Sequence, residues 1–485
     1  MTRPTFALIL ASAWLAPALA AEPPPLARRV EARLAEAGPG PRFGLVVATE
    51  EGRELIAIAP ESRFIPASNT KMFTTAAAYA ALPGLDRPDA EGGASVRLEP
   101  AGRGTVDVIL EGRGDARLSS SPDCVSNCLA ALADSVAAAT RSVRDVVGDD
   151  SLFPDQRWSP GMSWNNIPTR SGTAASALSL DDNELPVRVF PSTPGKPPRL
   201  EMLAYYEVDN RAVTVAGTAS ALAFDRLPGS RRLRLTGTIA AGAEPELLRL
   251  GIDDPADYAA WRFKSMLEAR SVRVAGQASA RHRPLGPGDD PSVRNGAPAA
   301  RPPRAEALAR LVPPPLAEDL RAINKASQNL HSELLLRRLG RTKGSGSIAD
   351  GLAVVREMLA GAGIPRSGYD FSDGSGMSTY NRVAPRAMVG FLRWAGAQPW
   401  GAEWRSSLPV GGVDGTLARR FKATALEGRI FAKTGTLNAT NALSGYMTAR
   451  SGRTLLFSAY ANDVPEGVEA TAAIDSVLVM IAESN

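Results

Sequence analysis

The sequence predicts an α+β fold: one antiparallel five-stranded sheet built from both ends of the chain, faced by helices and interrupted by a large β-rich insertion. Three observations predict it. Residues 43–48 and 54–59 are apolar, strand-like runs joined by Glu50-Glu51-Gly52-Arg53, a hairpin pattern. Residues 429–432, 442–449 and 454–461 are three more such runs, the last two separated by Arg450-Ser451-Gly452-Arg453. Between these ends, residues from about 90 to 295 have another texture, with short strand-like runs at 105–110, 212–216 and 232–236 punctuated by Pro and Gly. The chain is therefore expected to leave its terminal sheet and return to it. A helix is predicted from Pro66-Ala67 to about Leu82, stopped by Pro83-Gly84, and a last helix over 466–482. The Pro-, Gly- and Arg-rich stretch 284–303 reads as a linker or boundary. The domains expected are a main domain from 21–90 and 304–485, and an inserted region at 91–303 with a smaller unit nested near 185–280.

A chain of 485 residues with 44% hydrophobic content can bury two or three domain cores. Charged residues make up 22% and nearly balance at +4, with no dense basic run, which argues against a nucleic-acid groove. At the N-terminus, Arg3, the apolar run 6–15 and the small-x-small triplet Ala18-Leu19-Ala20 form a secretory signal, so residues 1–20 are expected to be removed and the protein to be periplasmic. The apolar run is too short to span a bilayer, and membrane association is expected to be loose at most. The only cysteines, Cys124 and Cys128, suit an oxidising compartment, where they can form a disulfide. Their spacing would strain that bond in a regular helix, but Ser121-Pro122-Asp123 looks like a helix start that could place them on a distorted first turn.

Histidine is confined to His282 and His331, which disfavours a Ser-His-Asp scheme and a His-rich metal site. His282 reads as exposed among Arg and Pro, and His331 as structural. Only seven residues are Lys, and Lys, unlike Arg, can give up its proton when desolvated. Of these, Lys71 alone follows a Ser by three residues, in Ser68-Asn69-Thr70-Lys71 at a predicted helix start. That spacing puts the hydroxyl and the amine on one helix face, beside backbone N–H groups that favour developing negative charge. A desolvated amine there can activate the serine as a nucleophile. The second element is Ser327-Gln328-Asn329, ahead of the apolar run 330–339. The third is Lys433-Thr434-Gly435-Thr436, directly after the strand 429–432, where Gly435 would let a ligand approach the backbone. Taken alone, the first reads better as a helix start with a solvated lysine, and the other two have plain readings as a polar helix start and a strand entering a turn. The order SxxK, SxN, KTG is far more specific than any one of them.

These elements resemble the signature of low-molecular-mass class C penicillin-binding proteins, the penicillin-binding protein 4 type of D-alanyl-D-alanine carboxypeptidases and endopeptidases. Asp373-Gly374-Ser375-Gly376-Met377-Ser378, Gly412-Val413-Asp414-Gly415-Thr416-Leu417 and the approach to Ser327 over 313–329 are similar to family segments. The separation of 259 positions between Ser68 and Ser327 matches its large insertion. The resemblance implies the serine β-lactamase/penicillin-binding fold and no cofactor or metal. Its substrates would be peptidoglycan stem peptides, with β-lactams as covalent inhibitors. It implies Ser68 as nucleophile, Lys71 as its proton acceptor and Ser327 as a proton relay. Asn329, Lys433, Thr434, Gly435 and Thr436 would bind substrate, and the N–H groups of Ser68 and Thr436 would form an oxyanion hole. Asn166 and Thr379 depart from family members carrying an acidic and a basic residue there, which bears on stem-peptide specificity. A β-lactamase or esterase on the same fold, or a silent wall-binding protein, are the alternatives.

Overall fold

The computed structural model describes residues 25–102, 104–299 and 304–485. The expected signal, residues 1–20, lies outside the described residues. The strands Arg42–Thr49, Glu54–Ile58, Ile430–Leu437, Thr440–Thr448 and Thr454–Asn462 form one five-stranded antiparallel sheet. Ile430–Leu437 and Glu54–Ile58 are its edges, and Arg42–Thr49 pairs with Thr454–Asn462 to join the two ends of the chain. Alternation along the strands explains why they read as continuous apolar runs. Leu45, Val47, Leu443 and Met447 point to one face, under the helices Leu26–Ala35 and Ala470–Glu483. Val46, Ala48, Ala442 and Tyr446 point to the other, under a layer of central helices. Both faces are covered, so no polar alternation is left in the sequence. The last helix begins at Ala470 rather than 466, because Gly467 takes a φ of 81° in a turn after Pro465.

In that central layer the helix Thr70–Ala81 is buried from Thr70 through Ala78. It packs against Leu316–Lys325, Asn329–Lys343 and Ile348–Gly361. Phe73 lies between Phe371 and Phe391, with ring centroids 4.9 and 4.3 Å away. Thr75 Oγ1 donates to the Lys71 carbonyl at 2.9 Å and accepts from Trp404 Nε1 at 3.0 Å. Phe73→Ala should therefore open a cavity in the helix that carries the candidate site and cost about 3–5 kcal/mol, read as a lower denaturation midpoint.

The middle of the chain is less purely β than its sequence suggests. Its five-stranded sheet runs in the order Ala278–Arg281, Val146–Asp149, Val106–Glu111, Ser95–Pro100, Ala309–Arg310. The first three strands are mutually parallel, which demands crossover connections. The helices Leu129–Ala139 and Pro255–Glu268 pack against this sheet or against each other. Leu129–Ala139 is almost wholly apolar and shows little helical period, which hides it in the sequence. Two small sheets follow, one of three strands around Glu184–Phe190 and one of four around Arg232–Ala240.

Three local expectations are corrected. Residues 121–123 do not start a helix: Cys124 N–H bonds to the Ser121 carbonyl in a turn, and Cys128 caps Leu129–Ala139 in extended conformation. Cys124 and Cys128 are bonded across this loop with Cα atoms 5.7 Å apart, so the i, i+4 helical geometry never arises. Within 284–299 the chain is anchored: Arg294 pairs with Asp350 at 2.8 Å, and Ser347 Oγ donates to the Asp289 carbonyl at 2.6 Å. His282 is half-buried between Asp150 at 3.0 Å and Asp254 at 3.2 Å, whose hydrogen bonds push it up to about 10.

Candidate active site

Ser68 occupies a single 3-10 turn, Ala67–Asn69, rather than the first turn of one continuous helix. Ala67 has a φ of 46°, the left-handed region that alanine adopts at a cost. Two glycines hold this turn. A Cβ on Gly435 would lie 2.6 Å from the Pro66 carbonyl oxygen, and one on Gly376 would lie 1.9 Å from that of Ala67. Only glycine lets the strand and the 373–378 loop press on the turn from their own sides.

Lys71 is fully buried and directed by three acceptors. Its Nζ lies 3.0 Å from Ser68 Oγ, 2.7 Å from Asn329 Oδ1 and 2.5 Å from the Ser375 carbonyl. The last two groups only accept, so each takes an N–H from the amine. Asn329 is oriented by its own amide, which donates to the Ser171 carbonyl at 2.9 Å. The remaining amine position faces Ser68 Oγ. When Lys71 is neutral, its lone pair points there.

The segment Lys433–Thr436 lies inside the strand Ile430–Leu437, not after it. It continues the ladder with Asn441–Ser444, and the turn comes only beyond Leu437. This correction matters because the segment forms the open edge of the sheet, with backbone groups available to a ligand. Lys433 Nζ donates to Ser327 Oγ at 2.9 Å and to the Thr434 carbonyl at 3.1 Å. Asn69 Nδ2 donates to the Lys433 carbonyl at 2.8 Å, binding this strand to the Ser68 turn. Ser327 has a φ of 59° between the helices Leu316–Lys325 and Asn329–Lys343. Thr434 Oγ1 lies 2.7 Å from Thr416 Oγ1. Ser68, Lys71 and Asn329 thus form one hydrogen-bonded group and Lys433 with Ser327 a second; the Asn69 bond to the Lys433 carbonyl ties the strand of the second, which also carries Thr434 and Gly435, to the turn of the first. Thr379 hydroxyl is used on the Gly161 carbonyl at 3.0 Å, and the Asn166 carbonyl accepts from Thr169 Oγ1 at 2.8 Å.

Burial lowers Lys71 most, and Asp373 and Glu333 partly oppose it, leaving it at about 7. Burial, then the charge of Lys71, carries Lys433 well below the ordinary lysine range. Two amines packed together out of water cannot both stay charged. Asp373, buried and beside Glu333, is pushed up to about 6. The sequence motifs did not assign a role to Glu333, Asp373 or Asn69. Glu333 accepts from the N–H groups of Gly374 and Ser375 at 3.1 and 2.9 Å and so shapes the loop whose carbonyl holds Lys71. Its position four residues after Asn329 on one helix face was the available signal. Among the described residues, no group of three or more His, Cys, Asp or Glu could hold a metal ion.

The strained serine turn, the buried lysine pair and the open strand edge define a site suited to an activated serine nucleophile, on the fold of penicillin-binding protein 4. The crystal structure of that protein from Haemophilus influenzae superposes with a TM-score of 0.77, covering 93% of this chain and 98% of the other at 20% identity. A D-alanyl-D-alanine carboxypeptidase from an Actinomadura species is 36% identical over 460 residues, spanning 90% of this chain and 80% of the relative. The D-alanyl-D-alanine carboxypeptidase DacB of H. influenzae is 23% identical over 440 residues, 88% of this chain and 87% of the relative. Residues 26–483 match the model of the D-Ala-D-Ala carboxypeptidase 3 (S13) family, and the chain belongs to that family.

Proposed function

We propose that this protein hydrolyses D-alanyl-D-alanine peptide bonds of peptidoglycan stem peptides, as a carboxypeptidase, an endopeptidase or both, through an acyl-enzyme on Ser68. The observation that carries this reading is the 3.0 Å contact between Ser68 Oγ and an amine whose other directed bonds go to groups that can only accept. Ser68 Oγ attacks the carbonyl carbon between the two D-alanines while its proton passes to neutral Lys71. The N–H groups of Ser68 and Thr436 receive the oxyanion. Ser327, backed by Lys433, passes a proton to the leaving amine, the C–N bond breaks, the C-terminal D-alanine departs, and the proton taken up by Lys71 is returned to Ser327. Asn329 and the edge groups of Lys433, Thr434, Gly435 and Thr436 hold the peptide and its terminal carboxylate. Water then cleaves the ester and restores Ser68. β-Lactams acylate the same oxygen as substrate mimics; one solved structure of the H. influenzae fold relative is itself a complex with a β-lactam. The N-terminal signal pattern and the Cys124–Cys128 bond support export to the periplasm. No helix among the described residues is long and apolar enough to cross a membrane.

The test is intact mass after incubation with benzylpenicillin, beside release of D-alanine from a stem pentapeptide. A stable mass gain equal to the drug, with D-alanine release, is the expected result. Rapid drug turnover without peptide cleavage would indicate a β-lactamase. Neither adduct nor turnover would indicate a wall-binding protein that has lost the chemistry.

A further inference from the structure

His331 is one of the chain's two histidines and lies on the helix that begins at Asn329, yet its ring nitrogens bond to Asp319 and Asp182 rather than to Ser68 or either buried lysine. Its ring is buried and spans two carboxylates on different parts of the fold. Nδ1 is 2.5 Å from Asp319 Oδ1 on the helix Leu316–Lys325, and Nε2 is 2.8 Å from Asp182 Oδ1 in the inserted region. A neutral imidazole carries one N–H and would turn a lone pair toward one of these carboxylates. Both contacts are satisfied only by the doubly protonated ring. Burial opposes that form, but the two carboxylates outweigh it and hold the ring near 10. His331 is then a fixed cation with two donors rather than a proton shuttle.

The same Asp182 accepts, on its other oxygen, from Gln328 Nε2 at 3.2 Å. Gln328 and His331 flank Asn329, and Ser327 precedes them in left-handed conformation. The Asp182 turn is itself pinned. Asp181, Asp182 and Asn183 all have φ between 50° and 57°. Asp181 accepts from Ser120 N–H at 2.8 Å and from Ser120 Oγ at 2.6 Å. Asn183 is joined to Thr173, whose hydroxyl donates to its carbonyl at 2.6 Å. Two residues before Thr173, the Ser171 carbonyl holds Asn329. Two neighbouring loops of the inserted region therefore grip the turn that carries Ser327 and Asn329.

We propose that His331, bridging Asp319 and Asp182, is a positioning residue for Ser327 and Asn329, and that through Asp182 the inserted region forms part of the acylation framework. The effect on acylation rests on the Ser68 acyl-enzyme reading; the mechanical clamp does not. Displacing catalytic groups by a fraction of an ångström to one ångström costs about 10- to 100-fold in rate.

His331→Ala would strand the buried Asp319 carboxylate without its partner and confound stability, so the decisive variant is at half-exposed Asp182. Asp182→Gly removes both side-chain bonds while glycine keeps the left-handed backbone at no steric cost. Asp182→Asn keeps an acceptor for His331. The readouts are the second-order rate of acylation by benzylpenicillin and amide hydrogen exchange over residues 326–331. Asp182→Gly should acylate about 10- to 100-fold more slowly, exchange faster over 326–331 and leave exchange over Thr70–Ala81 unchanged. Asp182→Asn should restore most of the rate. If the clamp acts through Ser327, Asp182→Gly combined with Ser327→Ala should be no slower than Ser327→Ala alone. Wild-type acylation in Asp182→Gly would overturn the proposal, and effects of the two changes that multiply would overturn its assignment to Ser327. If the unaltered protein is not acylated at all, the acyl-enzyme reading falls, and unchanged exchange over 326–331 would overturn the clamp independently.

Discussion

Ser68→Ala should yield a folded protein that gains no mass from benzylpenicillin and releases D-alanine roughly 10⁴–10⁶-fold more slowly than the unaltered chain. The expectation of intact folding follows from the surroundings. Among the described residues Ser68 Oγ bonds to Lys71 Nζ alone, and that amine keeps its bonds to Asn329 Oδ1 and the Ser375 carbonyl when the hydroxyl is removed. The turn is held by the Asn69 to Lys433 bond and by the glycine contacts, none of which uses the Ser68 side chain. Comparison of intact masses and denaturation midpoints of the two proteins is the check. An adduct persisting in the variant would place the acylated oxygen elsewhere.

Lys71→Ala should lower the acylation rate by roughly 10²–10⁴-fold, the range for loss of a positioned general base. Lys71→Arg should be no better, although it keeps the charge, because arginine does not give up its proton near neutral pH. The pH profile gives an independent sign. The reaction needs the neutral amine, and Lys71 sits at about 7. Acylation should therefore rise with pH, tenfold per unit well below 7, and level off above it. The rising limb should vanish in Lys71→Ala. Stopped-flow acylation across neutral pH checks this; an unchanged profile in the variant would assign the limb to another group, with Lys433 the next candidate.

The sequence was most legible where chemistry is local. SxxK requires only one helical turn to bring hydroxyl and amine together, so Ser68 and Lys71 could be paired from spacing alone. The hairpin and terminal strands were visible because runs such as 43–48 are apolar on both faces and end in turn residues. Where boundaries slipped, a neighbour made the difference. Lys433 to Thr436 look like a strand end in isolation, but pairing with Asn441 to Ser444 extends the strand through them. The parallel strands and crossover helices of the inserted region were hidden because Leu129–Ala139 lacks a clear helical period. His282 looks exposed among its arginines, yet Asp150 and Asp254, distant in sequence, enclose it.

By itself, then, the sequence determined the candidate groups, their order along the chain and the terminal sheet whose edge strand carries Lys433, since residue type, short spacings and apolar runs carry that information. The tertiary structure decided how those groups are tuned and held. The basicity of Lys71 depends on complete burial near Asp373 and Glu333, which lie hundreds of residues away. The placement of Ser327 and Asn329 depends on Ser171 and Asp182, supplied by an insertion whose sequence gives no sign of it. Desolvation and hydrogen-bond direction are properties of the packed surroundings, and no local stretch of residues encodes them.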